Sequence, residues 1–392
     1  MRLPLPPTCP ASAASRDLPA LSMGTAAVCM AIILTALAFV GCHRQEPPPR
    51  PYVAFVVNHL GSSVAVVDLA DPKVVATIPV APLPEKAIRR PDRQEIYVVS
   101  QSGKISVVEF PALTVAHTVV IGPAAGDLVF SPDGNHAYVL DPPAGQVVFL
   151  DCNTLKETGR VHLVPNLSHL AITLDGKTLI ASDPAENRLF FIAAEAQKAL
   201  GTVEVGKTPG HLAVSLDSSV VFVADTGDEK ISAAQVASRT IIAHIETGSR
   251  PGGLVLKPDG GELFVLSDEA STMTIVDASH DNVEQVLPTG RDPVAAVFKQ
   301  DSSVMYVATQ GDGFVTAFDI ASRAVLSTVH VGVAPEALAL TPDERFLAAA
   351  DSASGALALI RAMPLSLITA VPVGANPVDV LIPGWEWHEG GR

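Results

Sequence analysis

The chain has 392 residues, 48% of them hydrophobic, and its 26 Lys and Arg residues against 41 Asp and Glu give a formal charge of −15. A surface this acidic repels phosphate backbones and anionic membrane faces, so nucleic acid is excluded as the expected partner. Cationic proteins, cations and small ligands remain compatible with this charge. The four cysteines do not form a disulfide framework, because Cys9 and Cys29 lie in the N-terminal leader.

The first 41 residues predict an export signal. Residues 26–40 form an uncharged, mostly apolar run, shorter than the roughly 20 residues that a helix needs to cross a bilayer. The run ends in Phe39-Val40-Gly41-Cys42, which resembles the lipobox of bacterial lipoproteins, with Phe39 where that family usually has Leu. The resemblance implies that Cys42 is the first mature residue and carries the lipid. An ordinary signal peptide or a short anchor is the alternative, and translation can start at Met1 or at Met23.

The chain therefore divides into four predicted segments. They are a signal peptide (1–41), a proline-rich tether (42–51), a repeat domain (52–383) and a C-terminal tail (384–392). Proline-rich linkers are semi-rigid, so the tether would hold the domain off a surface. We expect an exported, monomeric, lipid-anchored protein of the bacterial cell envelope, in the outer membrane and facing either the periplasm or the cell surface.

One strand pattern recurs eight times in the repeat domain. The last residues of the copies are 42 apart, except for one step of 41 between the second and the third. These last residues are Asn58, Ser100, Asp141, Asp183, Asp225, Ser267, Thr309 and Asp351. Each unit holds four short apolar runs separated by turn sequences such as Ser131-Pro132-Asp133-Gly134. Several runs are apolar without alternation, which indicates strands covered on both faces. Units of this length predict the blades of a β-propeller.

The two ends of the repeat domain complete each other. The domain opens on the second strand of a blade at Tyr52, and the last unit stops after one inner strand, residues 378–382. Pairing these two strands would close the ring and remove its exposed edges. We therefore predict an all-β fold, a single propeller of eight four-stranded blades, with seven blades plus a stray unit as the alternative.

The repeats resemble the YVTN-repeat β-propeller family. The resemblance rests on Tyr306-Val307-Ala308-Thr309, on the Val64 to Asp68 strand, on the Lys73 to Val80 run and on the Ser131 to Gly134 turn. It covers 52–383 and implies the propeller fold. It leaves the function open, because that family includes surface and periplasmic binding proteins and enzymes.

Candidate site residues are those that depart from the repeat consensus near the channel. Equivalent inner-strand positions should form a ring at one height, occupied here by Lys86, Asp127, His169, His211, Gly253, Ala295, Ala337 and Asp379. Its charged and imidazole members fall on five consecutive blades, so one side of the channel mouth is predicted to be polar. Nearby loops and positions add further ligand-binding candidates, namely Arg250, Arg291 and Glu336.

These residues support three functional hypotheses. The first is a ligand-binding or protein-binding scaffold without enzyme activity. The second is a lyase-like or lactonase-like enzyme, in which Asp127, His169 and His211 hold a divalent metal and His169 or His211 is the catalytic base. The third is a haem or quinone cofactor on the propeller axis. Arg250 and Arg291 could clamp a carboxylate, although independent surface arginines are the simpler interpretation.

Overall fold

The computed structural model describes residues 50–386 apart from Ser249. The predicted signal peptide, the proposed lipidation residue Cys42 and most of the tether lie outside this part of the chain. The described residues form strands and turns throughout, and none of them forms a helix long and apolar enough to cross a membrane.

Thirty-two strands make eight antiparallel four-stranded sheets, the blades of one β-propeller. We call the strands of a blade A to D from the channel outward. Blade 1 contains β32 (Pro377–Leu381), β1 (Val53–Asn58), β2 (Ser63–Asp68) and β3 (Lys73–Pro79). Blade 2 contains β4 (Pro84–Arg89), β5 (Glu95–Ser100), β6 (Lys104–Glu109) and β7 (Thr114–Val120). Blade 3 contains β8 (Leu128–Phe130), β9 (His136–Asp141), β10 (Gln146–Asp151) and β11 (Lys156–His162).

The remaining blades repeat this order. Blade 4 contains β12 (Leu170–Ile172), β13 (Thr178–Asp183), β14 (Arg188–Ala193) and β15 (Lys198–Glu204). Blade 5 contains β16 (Pro209–Val214), β17 (Val220–Asp225), β18 (Lys230–Gln235) and β19 (Thr240–Glu246). Blade 6 contains β20 (Leu254–Leu256), β21 (Glu262–Ser267), β22 (Thr272–Asp277) and β23 (Asn282–Pro288). Blade 7 contains β24 (Pro293–Phe298), β25 (Val304–Thr309), β26 (Phe314–Asp319) and β27 (Val325–His330). Blade 8 contains β28 (Pro335–Leu340), β29 (Phe346–Asp351), β30 (Ala356–Arg361) and β31 (Ser366–Pro372).

The ring closes as the sequence predicts. β32, from the C-terminal end of the chain, pairs antiparallel with β1, with Phe55 opposite Leu381. The following residues add a second fastening, because Trp385 is buried edge-on against the ring of Phe55 at 6.2 Å. Eight blades are thus confirmed, and the seven-blade alternative is wrong.

The core lies between neighbouring blades. The B and C strands are buried on both faces, as in β10, where Val147, Val148 and Phe149 are all almost fully buried. This burial explains the apolar runs without alternation, since each sheet packs against a sheet on either side. Each fully buried side chain of this kind contributes about 1.5–3 kcal/mol of stability.

The repeated polar residues have structural roles. The last residue of every B strand is buried, and in Asp351 its carboxylate accepts hydrogen bonds from Val333 N at 2.7 Å and Ala334 N at 2.9 Å. It therefore ties the B–C turn to the loop that enters the same blade. In the A–B turn, Ser131 Oγ donates to Asp133 at 2.6 Å, and such bonds lower the pKa of Asp133 to about 2.

The propeller has two distinct faces. Every A strand begins on one face, which also carries the B–C turns and the loops entering the blades, and we call this the mouth face. The A–B and C–D turns lie on the opposite face, which we call the turn face. The polar ring residues stand at the starts of the A strands and therefore lie at the mouth face.

Candidate functional site

Two histidines from adjacent blades meet at the channel mouth. His169 directly precedes β12, and His211 is the third residue of β16. Their ring centroids are 4.2 Å apart, with 40° between the ring planes. They line a cavity of about 410 Å³ together with Lys86 and Asp127. The structure thus brings together four of the predicted site residues, from four consecutive blades.

Asp127 organises one side of this cavity. Its Oδ1 accepts hydrogen bonds from Lys86 Nζ at 3.2 Å and from Leu128 N at 3.1 Å. Its Oδ2 accepts one from Leu170 N, at 3.2 Å, on the next blade. Since Leu170 follows His169 in the chain, this bond fixes the backbone that presents the imidazole.

The surroundings of both imidazoles favour the neutral form. Burial lowers the pKa of His169 to about 4; the neighbouring His211 and Lys86 act in the same direction, and Asp127 opposes them. The many protein atoms around His211 lower its pKa in the same way, and its side chain still has a surface exposed to the channel. In addition, Nδ1 of His169 is buried and has no hydrogen-bond partner. Most buried polar atoms have a hydrogen-bond partner, so this nitrogen is unusual. A neutral imidazole also has one nitrogen lone pair that can bind a metal.

The opposite side of the ring is small and apolar, being formed by Gly253, Ala295 and Ala337. A Cβ added at Gly253 would make only an ordinary contact, 3.5 Å from Leu266 Cδ1. The fold therefore tolerates a side chain there, and the glycine leaves space in the channel beside His211, on the adjacent blade.

The remaining predicted residues lie elsewhere on the mouth face. Asp379 is in the ring, where burial raises its pKa while its Oδ2 accepts a hydrogen bond from Ala87 N at 2.8 Å. Glu336 accepts one from Gln310 Nε2 at 3.1 Å and lines a second cavity of about 380 Å³.

The two predicted arginines do not converge on one ligand. Arg250 pairs with Glu269 at 3.5 Å in an exposed contact. Arg291 donates to Gly311 O. Each side chain thus contacts the B–C turn of the blade that its loop enters, in line with independent surface arginines.

The predicted metal set gains no support from the geometry. Among residues 50–386, without Ser249, no group of three or more His, Cys, Asp or Glu side chains is arranged to hold a metal ion. The assignment of a divalent metal to Asp127, His169 and His211 stays a prediction.

Ser182 is a site residue that the sequence reasoning missed. Its Oγ lies 2.8 Å from Ser168 Oγ and accepts a hydrogen bond from His169 N at 3.1 Å. The sequence did carry a signal for this role, because equivalent positions in the other repeats are all apolar: Val57, Val99, Leu140, Ala224, Leu266, Ala308 and Ala350.

Comparison with known proteins gives a consistent fold. The family model "Cytochrome D1 heme domain" matches residues 258–382, less than half of the chain. The solved structure "Dihydro-heme d1 dehydrogenase NirN in complex with DHE" is 15% identical, with a TM-score of 0.76 over 89% of this chain and 78% of that one. No curated protein matches in sequence.

Two further solved structures share the fold. Hydrazine synthase of Kuenenia stuttgartiensis is 17% identical, with a TM-score of 0.53 over 64% of this chain and 87% of that one. A functionally unknown protein from Desulfotomaculum acetoxidans DSM 771 is 15% identical, with a TM-score of 0.59 over 73% of this chain and 98% of that one. At these identities the likeness concerns the fold alone.

Proposed function

We propose that the protein binds a haem-type tetrapyrrole at the mouth of its channel, where the imidazole of His169 or His211 would hold its iron. The observation that carries the proposal is the pair of tilted imidazoles, with ring centroids 4.2 Å apart, in a cavity of about 410 Å³. The partial match to a cytochrome D1 haem domain and the fold shared with a dihydro-haem d1 dehydrogenase support the same ligand class.

The residues present fit such a group. Iron ligation requires an unprotonated ring nitrogen, and the low pKa of His169 provides one throughout the physiological range. A cation favours the binding of tetrapyrrole carboxylates, and the half-exposed Lys86, whose Nζ lies 3.2 Å from Asp127 Oδ1, can supply it. Gly253, Ala295 and Ala337 leave apolar space across the channel. When bound, an iron tetrapyrrole would supply one-electron redox chemistry, while this chain would bind and orient it.

The test is a spectroscopic titration of the purified protein with ferric protoporphyrin. We expect one equivalent to bind with a shifted Soret band, and the double variant His169→Ala/His211→Ala to bind at least about tenfold more weakly, a loss of about 1.4 kcal/mol. His162→Ala is the matched control, because His162 is exposed on the outer strand β11.

Melting of the double variant distinguishes a binding role from a structural one. Its melting temperature should stay near that of the wild type, since His169 Nδ1 makes no hydrogen bond that could be lost. Equal affinity of the wild type and the double variant would refute the proposal. Stoichiometric zinc, iron or manganese in the purified protein without a tetrapyrrole would favour the metal-dependent enzyme instead.

We also propose that the propeller is displayed on the cell envelope as a lipoprotein. The Phe39 to Cys42 sequence supports this, because a lipid chain adds about 0.8 kcal/mol of membrane affinity per buried methylene. Replacing Cys42→Ala should move the protein from the membrane fraction to the soluble fraction. Unchanged fractionation would contradict lipidation at this residue.

A further inference from the structure

One inter-blade junction on the turn face is filled by an arginine. Arg90, in the A–B turn of blade 2, has a fully buried side chain that reaches into blade 3. Its guanidinium donates to two carboxylates, two backbone carbonyls and one amide oxygen, those of Asp92 (2.7 Å), Glu95 (3.0 Å), Gly134 (3.0 Å), Cys152 (2.9 Å) and Asn153 (2.9 Å). Every nitrogen of the group thus has an acceptor.

The next junction, between blades 3 and 4, has residues equivalent to the acceptors of Arg90 but no arginine at the equivalent position. One repeat after Arg90 the chain has Ser131, whose short side chain donates to Asp133 within its own turn. The positions equivalent to four of the acceptors of Arg90 are occupied by Asp133, Gly176, Ala194 and Glu195. All four line a single cavity of about 460 Å³.

The composition of this cavity suits a cation. At the positions equivalent to the five acceptors there are again two carboxylates, because Glu195 replaces Asn153 while His136 replaces Glu95. A third carboxylate that lines the cavity, Asp175, is paired with Lys177 at 3.3 Å. Asp133 is ionised, since hydrogen bonds hold its pKa at about 2. Within the described part of the chain, no basic side chain lies within 4 Å of the Glu195 carboxylate.

An aromatic wall completes the cavity. Tyr138 and Phe149 line it and pack edge to face, 5.2 Å apart. At the equivalent junction of blades 7 and 8, Tyr306 OH donates to Ala362 O at 3.3 Å. In the described part of the chain, Tyr138 makes no such bond to Ala194 O. Guanidinium groups stack on aromatic rings.

We propose that the cavity between blades 3 and 4 on the turn face binds a guanidinium group, taking the place that Arg90 fills at the preceding junction. The lining combines carboxylates with backbone carbonyls, as the Arg90 site does. A planar guanidinium with five donors can serve several such acceptors at once, which a point-charge ammonium does less well. The group belongs to an arginine side chain of a peptide or to a small guanidine compound. This site is independent of the channel and of the proposed tetrapyrrole.

The experiment uses the full mature protein and Nα-acetyl-arginine amide, with the uncharged isostere Nα-acetyl-citrulline amide as the comparison ligand. Binding is followed by nuclear magnetic resonance titration. We expect the arginine compound to bind at least about tenfold more tightly than the citrulline compound, a difference of about 1.4 kcal/mol. Equal affinity of the two compounds, or saturation by neither, would overturn the proposal.

Three variants locate the site. Ser131→Arg supplies an internal guanidinium, so it should abolish binding and raise the melting temperature. Glu195→Gln should weaken binding several-fold without changing the fold, because the side chain is exposed. Glu204→Gln is the matched control, an exposed glutamate on the outer strand β15. Binding that Ser131→Arg and Glu195→Gln leave unchanged would place the cation elsewhere and refute the assignment.

A tripeptide arm identifies the source of the guanidinium. If acetyl-Gly-Arg-Gly amide binds more tightly than the single amino acid, the flanking backbone contributes and the occupant is a peptide side chain. If the affinities are equal, the site recognises the guanidinium alone, as for a small guanidine compound.

Discussion

Replacing Asp225→Asn should stabilise the propeller at neutral pH. Asp225 ends the B strand of blade 5 and is fully buried. Its Oδ2 accepts a hydrogen bond from Ser232 Oγ at 2.6 Å, but its Oδ1 has no partner. Burial raises the pKa of Asp225 to about 6, against 3.8 ordinarily, with Asp228 adding to the rise and Ser232, Lys230 and Gly206 opposing it.

The raised pKa fixes the sign and the size of the effect. Above pH 6 the carboxylate is ionised in both states, and the folded state carries the cost of burying the charge. A difference of about two pKa units corresponds to about 3 kcal/mol, an upper limit for the gain. Between pH 6 and pH 4 the folded protein takes up this proton, so wild-type stability from this group increases as the pH falls. The advantage of the Asn variant should be largest above pH 7 and vanish near pH 4.

Calorimetric melting at several pH values measures this difference. Asp183→Asn is the matched control, at the same repeat position in blade 4. Asp183 accepts a hydrogen bond from Arg188 Nε at 2.9 Å and two from backbone N–H groups, so its replacement should cost about 1–3 kcal/mol. A destabilised Asp225→Asn variant, or a gain that does not change between pH 4 and pH 8, would refute the reasoning.

Two further predictions concern the integrity of the ring. Arg90→Met should lower the free energy of unfolding by about 3–5 kcal/mol, because it leaves buried acceptors and carboxylates without their cation. Arg93→Met, at the exposed neighbour, should lower it by less than about 1 kcal/mol. Thermal melting compares the two variants, and equal melting temperatures would contradict the role of Arg90. Truncation after Asn376 removes β32 and exposes the edge of β1, so we expect aggregation and loss of cooperative unfolding. Truncation after Glu386 should keep the wild-type unfolding transition. If the protein truncated after Asn376 stayed monomeric and unfolded cooperatively, closure of the ring by β32 would be contradicted.

The number of blades and the ring closure were predictable because both depend on covalent spacing. A repeat of 42 residues fixes the unit, and the incomplete units at the two ends leave one strand to pair with the other. The gathering of Lys86, Asp127, His169 and His211 was predictable for the same reason, since equivalent positions on successive A strands lie at one height around the axis.

Side-chain pairing was not predictable, because it depends on which of several acceptors a side chain reaches. Arg188 and Lys230 occupy equivalent positions in blades 4 and 5. Arg188 pairs with the buried Asp183, whereas Lys230 pairs with Asp228 at 3.6 Å and leaves Asp225 without a cation. The cavity beside Ser131 was missed likewise, since it appears only when the surroundings of Arg90 are compared with the next junction.

The most direct test of the central claim is the absorbance spectrum and extracted-cofactor mass of the protein purified from its native host. Binding at the histidine pair predicts a coloured protein with close to one iron tetrapyrrole per chain in the wild type and little in the His169→Ala/His211→Ala variant. A colourless, folded wild-type protein that yields no tetrapyrrole would contradict it.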